Sequence, residues 1–140
     1  MTPKISVIIP VYNCEEYLTE AVQSILDQTF KDIEIICVED ASPDNSKEVL
    51  KKLAKKHKNI RAFYHEKNKG ISGALNTAIA HAKAPLIARM DADDISEPTR
   101  LQEQHNYLKE HPEVDVVATN LYYLSADGKK IGKRTYDLTN

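Results

Sequence analysis

Four short β-prone runs, the first two too continuous in apolar residues to leave one face in water, limit what this chain can fold into. Ile5-Ser6-Val7-Ile8-Ile9 ends at Pro10, Ile33 to Val38 is nearly unbroken, and Ile60 to Tyr64 and Leu86 to Met90 follow. Strands covered on both faces read this way, and they belong to parallel sheets sandwiched between crossover helices. The stretches between them carry helical spacing. Tyr17, Leu18, Ala21, Val22, Ile25 and Leu26 make one apolar face. Val49, Leu50, Leu53 and Ala54 make a second within Ser46 to His57, with lysines outward, and Leu75, Ala78, Ile79 and Ala82 make a third. The alternation predicts an α/β fold: a doubly wound, mostly parallel sheet with helices on both faces.

Local punctuation fits this plan. Asn13 is placed to cap the first helix, with Glu15 and Glu16 in its first turn. Gly70 to Gly73 is a turn-prone start to the third helix, and Pro85 stops it. Pro98 suits the first turn of a fourth helix carrying Leu101, Tyr107 and Leu108 before His111-Pro112. Val114 to Ala118, Leu121 to Leu124 and Lys130 to Arg134 read as further β-prone runs, the last two joined by an Asp127-Gly128 turn as a hairpin. With no repeat and no low-complexity linker, residues 1–140 read as a single domain.

Composition excludes several classes of function. A net charge of −2 draws the chain neither to nucleic acid nor to an anionic membrane. The lysines of residues 47–58 share their stretch with an apolar stripe and read as a solvated helix face. No apolar run approaches the roughly 20 residues of a membrane span, and Met1-Thr2-Pro3-Lys4 lacks a signal-peptide layout. Cys14 and Cys37 have neither CxxC spacing nor a histidine pair nearby, and Cys37 reads as a small buried side chain. A cytoplasmic location is expected, with any attachment at the inner membrane face made by parts outside this chain.

In open parallel sheets, ligands bind outside the carboxyl ends of the strands. Pro10-Val11-Tyr12-Asn13, Glu39-Asp40-Ala41-Ser42-Pro43-Asp44-Asn45, His65-Glu66-Lys67-Asn68-Lys69-Gly70 and Asp91-Ala92-Asp93-Asp94 all fall there. Each has two readings. Asp91 and Asp93, two apart at a strand end, face the same side and repel unless a cation or hydrogen-bond donors compensate. A hard divalent ion shared with substrate phosphates is one solution; capping of the next helix by Asp94 and Ser96 is the other. Glu39, Asp40 and Ser42 can accept hydrogen bonds from a nucleobase or ribose, or can build a turn. Asn68, Lys69 and Gly70 offer a cation and N–H groups to a phosphate, or an ordinary solvated lysine.

Taken together, the motifs resemble one family closely. Ser6-Val7-Ile8-Ile9-Pro10-Val11-Tyr12-Asn13 and Ser24-Ile25-Leu26-Asp27-Gln28-Thr29-Phe30 resemble the opening of family 2 glycosyltransferases. Val38-Glu39-Asp40-Ala41-Ser42-Pro43-Asp44-Asn45-Ser46 looks like their second motif, and Asn68-Lys69-Gly70 with Ala74-Leu75-Asn76 like the third. Ala88-Arg89-Met90-Asp91-Ala92-Asp93-Asp94-Ile95, with Pro98 and Arg100-Leu101, is similar to the DxD region, in wording close to the branch that builds bacterial exopolysaccharides and surface glycans.

The resemblance implies a GT-A fold, a nucleoside-diphosphate sugar donor, most often UDP-linked, and Mn2+ or Mg2+. It implies that Asp40 bonds the base, that Pro10, Val11 and Tyr12 line the base pocket, that Asp91 with Ala92 lies near the ribose, and that Asp93, with Asp91, contacts the metal. It implies transfer with inversion to a glycan or lipid-linked acceptor. Three positions depart from the family pattern. Glu39 replaces an aspartate, Ala41 a glycine (so a turn without a left-handed residue is expected), and Leu75 an arginine found in many members.

The family's catalytic base is an acidic residue in the acceptor-binding half. Glu110, Glu113, Asp115, Asp127 and Asp137 carry no recognisable base motif, so the base is expected beyond Asn140 and this chain reads as the donor-binding part. Such a truncated sheet would expose apolar surface and favour a homo-oligomer. Of the rivals, a receiver domain would want its acidic pair after the first strand, and a nucleotidyltransferase a Gly/Arg-rich loop there; neither is present. A scaffolding protein that keeps the pocket without catalysis remains open.

Overall fold

The structure is a computed structural model that describes residues 2–136; Asp137, one of the carboxylates weighed above, lies outside them. The chain forms two compact units, Met1–Leu101 and Gln102–Asn140. In the first, β1 (Ile5–Val11), β2 (Ile33–Glu39), β3 (Ile60–Tyr64) and β4 (Leu86–Arg89) alternate with α1 (Leu18–Leu26), α2 (Ser46–Lys56) and α3 (Gly70–His81). All pairings are parallel, in the order β3-β2-β1-β4, with Ile5 opposite Ile33 and Leu86, and Ile35 opposite Ile60.

Period-two alternation sends Val7, Ile9, Ile35 and Cys37 to one face, where Leu18, Val22 and Ile25 of α1 and Leu50 and Leu53 of α2 cover them. Ile8, Ile36 and Val38 point to the other, against Ala74 and Ala78 of α3. The continuous apolar runs of β1 and β2 thus report central strands covered on both sides, whereas β4 at the sheet edge alternates half-buried and exposed residues. Leu75 packs at the edge of this second cluster. Both cysteines are free and buried, and burial pushes the Cys37 thiol up to about 12. At the amino ends of the strands, the Glu34 carboxylate takes hydrogen bonds from Ser6 (2.7 Å), Arg61 (2.8 Å) and the Lys83 N–H (2.7 Å).

Four local expectations change. Asn13 adopts φ 51° and does not cap α1, which begins five residues later; the Cys14 carbonyl accepts the Tyr17 and Leu18 N–H groups instead. Pro98 lies in a turn ahead of α4 (Arg100–Glu110), and its carbonyl accepts the Thr29 N–H. Ile79 is 50% exposed, because the small side chains Ala74 and Ala78 bring α3 close to the sheet along a neighbouring line. Val114 to Ala118 forms no strand, and Val116 is solvent-exposed. Within the second unit, β5 (Leu121–Leu124) and β6 (Lys130–Arg134) pair antiparallel as the expected hairpin, turning through Ser125 to Lys129. Among the described residues, no helix is long and apolar enough to cross a membrane.

Candidate functional site

The strand order opens a crevice at one place on the carboxyl rim. From β1 the chain moves to β2 and β3 on one side, then returns to lay β4 on the other. Loops leaving β1 and β4 diverge at such a switch point, where open α/β sheets receive ligands. A cleft of about 540 Å³ occupies it. Pro10, Val11 and Tyr12 from the end of β1 line it, with Asp40 from β2. Asn68 and Gly70 enter from the loop after β3, and Asp91, Ala92 and Asp93 from the loop after β4.

Glu39, Ser42 and Lys69 stand behind the wall. Glu39 is buried, and its carboxylate accepts the Ser42 N–H at 2.5 Å, while the Ser42 hydroxyl accepts the Asn13 N–H at 3.1 Å. These two residues build the turn that presents Asp40 to the cleft. The turn does use a left-handed residue: Ala41 has φ 56°, contrary to what its replacing a glycine suggested. A side chain there costs roughly 1–2 kcal/mol, part of which glycine's backbone entropy offsets. Ala41→Gly is therefore expected to stabilise the chain by about 0.5–1 kcal/mol, read as a higher urea midpoint. A lower midpoint would mean that the Ala41 methyl makes packing contacts worth more than the strain.

Asp40 is held from behind. Its Oδ1 accepts from the His65 ring at Nδ1 (2.6 Å) and from the Lys69 N–H (2.9 Å). The second ring nitrogen, Nε2, lies 2.9 Å from the Thr77 hydroxyl, which lies 3.0 Å from the Gly73 carbonyl. Burial raises the Asp40 carboxyl, but the His65 bond, the Lys69 N–H and the nearby imidazole outweigh it and hold it below its ordinary value. His65 and Thr77 did not stand out in the sequence, since their partners lie 25 and 12 residues away. Gly70 has φ 74°, and its N–H donates to the Asn68 side chain at 2.9 Å, which fixes the loop that carries Lys69.

The acidic loop after β4 is partly compensated within the chain. Arg89 donates to Asp91 Oδ1 at 2.6 Å. Burial, followed by the charges of Asp91 and Asp93, raises the Asp94 carboxyl. Hard carboxylate oxygens at the cleft fit a magnesium- or manganese-like ion. Among the described residues no three His, Cys, Asp or Glu side chains converge on one point, so the protein would supply only part of a coordination shell.

Two further arrangements hold the cleft in place. The loops after β1 and β2 are laced together: Ser46 Oγ accepts the Cys14 N–H at 2.9 Å, Asp44 the Glu15 N–H at 2.9 Å, and Glu15 the Asn45 N–H at 2.7 Å. Glu15 thus serves the start of α2, where carboxylates offset the helix dipole, and not the first turn of α1. The fully buried Gln28 amide donates to the Glu97 carbonyl (2.7 Å) and the Ser96 hydroxyl (3.3 Å), and accepts the Leu101 N–H (3.0 Å). The Ser96 N–H also donates to the Ser24 hydroxyl (3.0 Å), so Ser96 anchors this loop to α1.

Comparison with known proteins agrees with this geometry. The minor teichoic acid biosynthesis protein GgaB of Bacillus subtilis is 38% identical over 127 residues, 89% of this chain and 14% of its own length. The structure of S. aureus TarS 1-349 in complex with UDP-GlcNAc superposes with a TM-score of 0.71 at 30% identity, covering 78% of this chain and 32% of that one. The mannosyltransferase PcManGT from Pyrobaculum calidifontis, in complex with GDP-Man and Mn2+, gives 0.71 at 26% identity, covering 77% and 33%. The chain spans less than half the length of the curated relatives it matches. The model of glycosyl transferase family 2 matches residues 6–138, and with the GT-A architecture of its structural neighbours this places the chain in that family.

Proposed function

We propose that this chain binds the nucleoside-diphosphate sugar donor, most simply a UDP-sugar, of an inverting hexosyltransferase that builds surface polysaccharide on a glycan or lipid-linked acceptor. The observation that carries the reading is the convergence of Asp40, Asp91 and Asp93 on one cleft at the switch point of the sheet. In this reading Asp40 meets the base between Pro10, Val11 and Tyr12. Asp91 and Ala92 lie along the ribose, and Asn68, Lys69 and Gly70 support the far side of the pocket. Asp93, with Asp91, would hold Mn2+ or Mg2+ together with the pyrophosphate, which completes the shell that the side chains leave incomplete. The ion would supply Lewis-acid neutralisation of the departing diphosphate.

The proton acceptor for the acceptor hydroxyl is assigned to the acceptor-binding half of the enzyme, so the 140 residues alone should transfer sugar weakly or not at all. The work would take place in the cytoplasm, at the inner membrane face. Self-association through the exposed Tyr122, Tyr123 and Ile131 belongs to the same reading, and the mass in solution reports it.

Calorimetric titration of UDP tests the donor site. Binding is expected to strengthen by about tenfold or more with manganese, as expected for a directly coordinated pyrophosphate, and Asp93→Ala should abolish that gain. UDP binding that ignores both the metal and Asp93 would remove the metal assignment. No nucleotide binding by a folded sample would sink the reading altogether.

A further inference from the structure

Behind the cleft lies a short relay that the donor reading does not by itself require. His65 is 8% exposed and both of its ring nitrogens are engaged, Nδ1 with Asp40 and Nε2 with Thr77. An ionised carboxylate can only accept, so the 2.6 Å contact fixes a proton on Nδ1. The Thr77 hydroxyl has one proton and two possible acceptors, Nε2 at 2.9 Å and the Gly73 carbonyl at 3.0 Å. When it donates to Nε2, the ring is neutral with its proton on Nδ1. When it donates to Gly73, Nε2 carries a proton of its own and the ring is an imidazolium. Nδ1–H faces Asp40 in both cases.

Both His65 and the Lys69 N–H converge on the same oxygen, Oδ1, so acceptor capacity toward a ligand in the cleft that Asp40 lines falls to Oδ2. We propose that His65, oriented by Thr77, is a positioning residue that keeps Asp40 an acceptor with Oδ2 aimed into the cleft, and thereby sets the choice of nucleobase. The inference rests on the donor reading. A fixed acceptor selects a base that presents a ring N–H, as uracil does at N3. It rejects one that presents a lone pair there, as cytosine does. Size and shape hardly differ between the two, so discrimination falls on this contact. Without His65, Asp40 would keep only the Lys69 N–H at Oδ1 and could rotate, or take up a proton and donate it to cytosine.

UDP and CDP titrations of the unaltered 140-residue chain, His65→Ala and His65→Asn test this, with thermal unfolding to confirm that each variant folds. His65→Ala is expected to weaken UDP about tenfold while CDP is unchanged or gains. His65→Asn, whose amide can donate from the position of Nδ1, should restore much of the preference. Nitrogen-15 NMR of the unaltered chain should find His65 protonated at Nδ1, an observation that needs no ligand. Equal UDP affinity in His65→Ala, a parallel loss of UDP and CDP, or an unprotonated Nδ1 would each overturn the positioning role while leaving the donor site standing. Failure of the unaltered chain to bind UDP would overturn the donor site, and this role with it.

Discussion

Replacing Asp40 by asparagine is expected to reverse the chain's choice of nucleotide. The amide oxygen would keep the place of Oδ1, where the His65 ring and the Lys69 N–H both donate. The amide NH2 would then stand where Oδ2 faces the cleft. Two donors would meet at uracil N3, whereas cytosine offers a lone pair to the same NH2. A site built around one hydrogen bond discriminates by orders of magnitude once that bond becomes a mismatch. Asp40→Asn should therefore weaken UDP by about 100-fold or more and leave CDP the better ligand. Competition between the two nucleotides measures this directly. A variant that still prefers UDP would take Asp40 out of base recognition, whatever its total affinity.

The largest effect on stability is expected at Gln28. Its amide is fully buried and joins the Ser24 carbonyl of α1 (3.1 Å) to the loop after the acidic cluster, through Glu97, Ser96 and Leu101. Leucine at this position fills similar space but leaves the buried Leu101 N–H without its acceptor, and removes a donor from the Glu97 carbonyl, which also accepts the Arg100 N–H at 3.1 Å. A buried donor left unpaired costs about 1–3 kcal/mol and each further hydrogen bond lost about 0.5–1.5 kcal/mol, so Gln28→Leu should destabilise the chain by roughly 3–5 kcal/mol. That is a large share of the 5–15 kcal/mol typical of a domain. The urea midpoint reports it. A midpoint within experimental scatter of the unaltered chain would show that the loop finds other partners and that Gln28 is not its anchor.

The sheet was legible because burial on both faces leaves a continuous apolar signature, and Ile5–Val11 and Ile33–Glu39 carry it nearly residue for residue. The rim was legible for a topological reason: once the strands are parallel, the segments after them share one edge. Local rules failed where a distant group competed for the same atoms. Asn13 has the chemistry of a cap, but its segment is tied to Ser42, Asp44 and Ser46 about 30 residues on, and α1 starts late as a result. Glu15 was read in its own helix and serves the next one. Val114 to Ala118 is β-prone by composition, yet propensity alone does not make a strand.

The candidate site divides along the same line. Asp40, Asp91 and Asp93 stand at strand ends, so their convergence follows from the fold. His65, Thr77 and Gln28 act through contacts that no spacing announces. Histidine after a strand and glutamine after a helix are ordinary, and only three-dimensional proximity to Asp40 or to the loop after Asp93 gives them a role. For Glu39 and Ser42 the turn-building reading describes the contacts they make.

The stitching of the loops after β1 and β2 bears on how a ligand is received. Residues 12–17 and 40–45 have no regular secondary structure to hold them, yet N–H groups of Asn13, Glu15 and Asn45 are each taken by a side chain from the opposite loop, and that of Cys14 by Ser46 at the start of α2. Their freedom is given up when the protein folds and not when a nucleotide arrives. One wall of the cleft is accordingly preorganised, and a ligand settling against it keeps affinity that ordering two loose segments would consume.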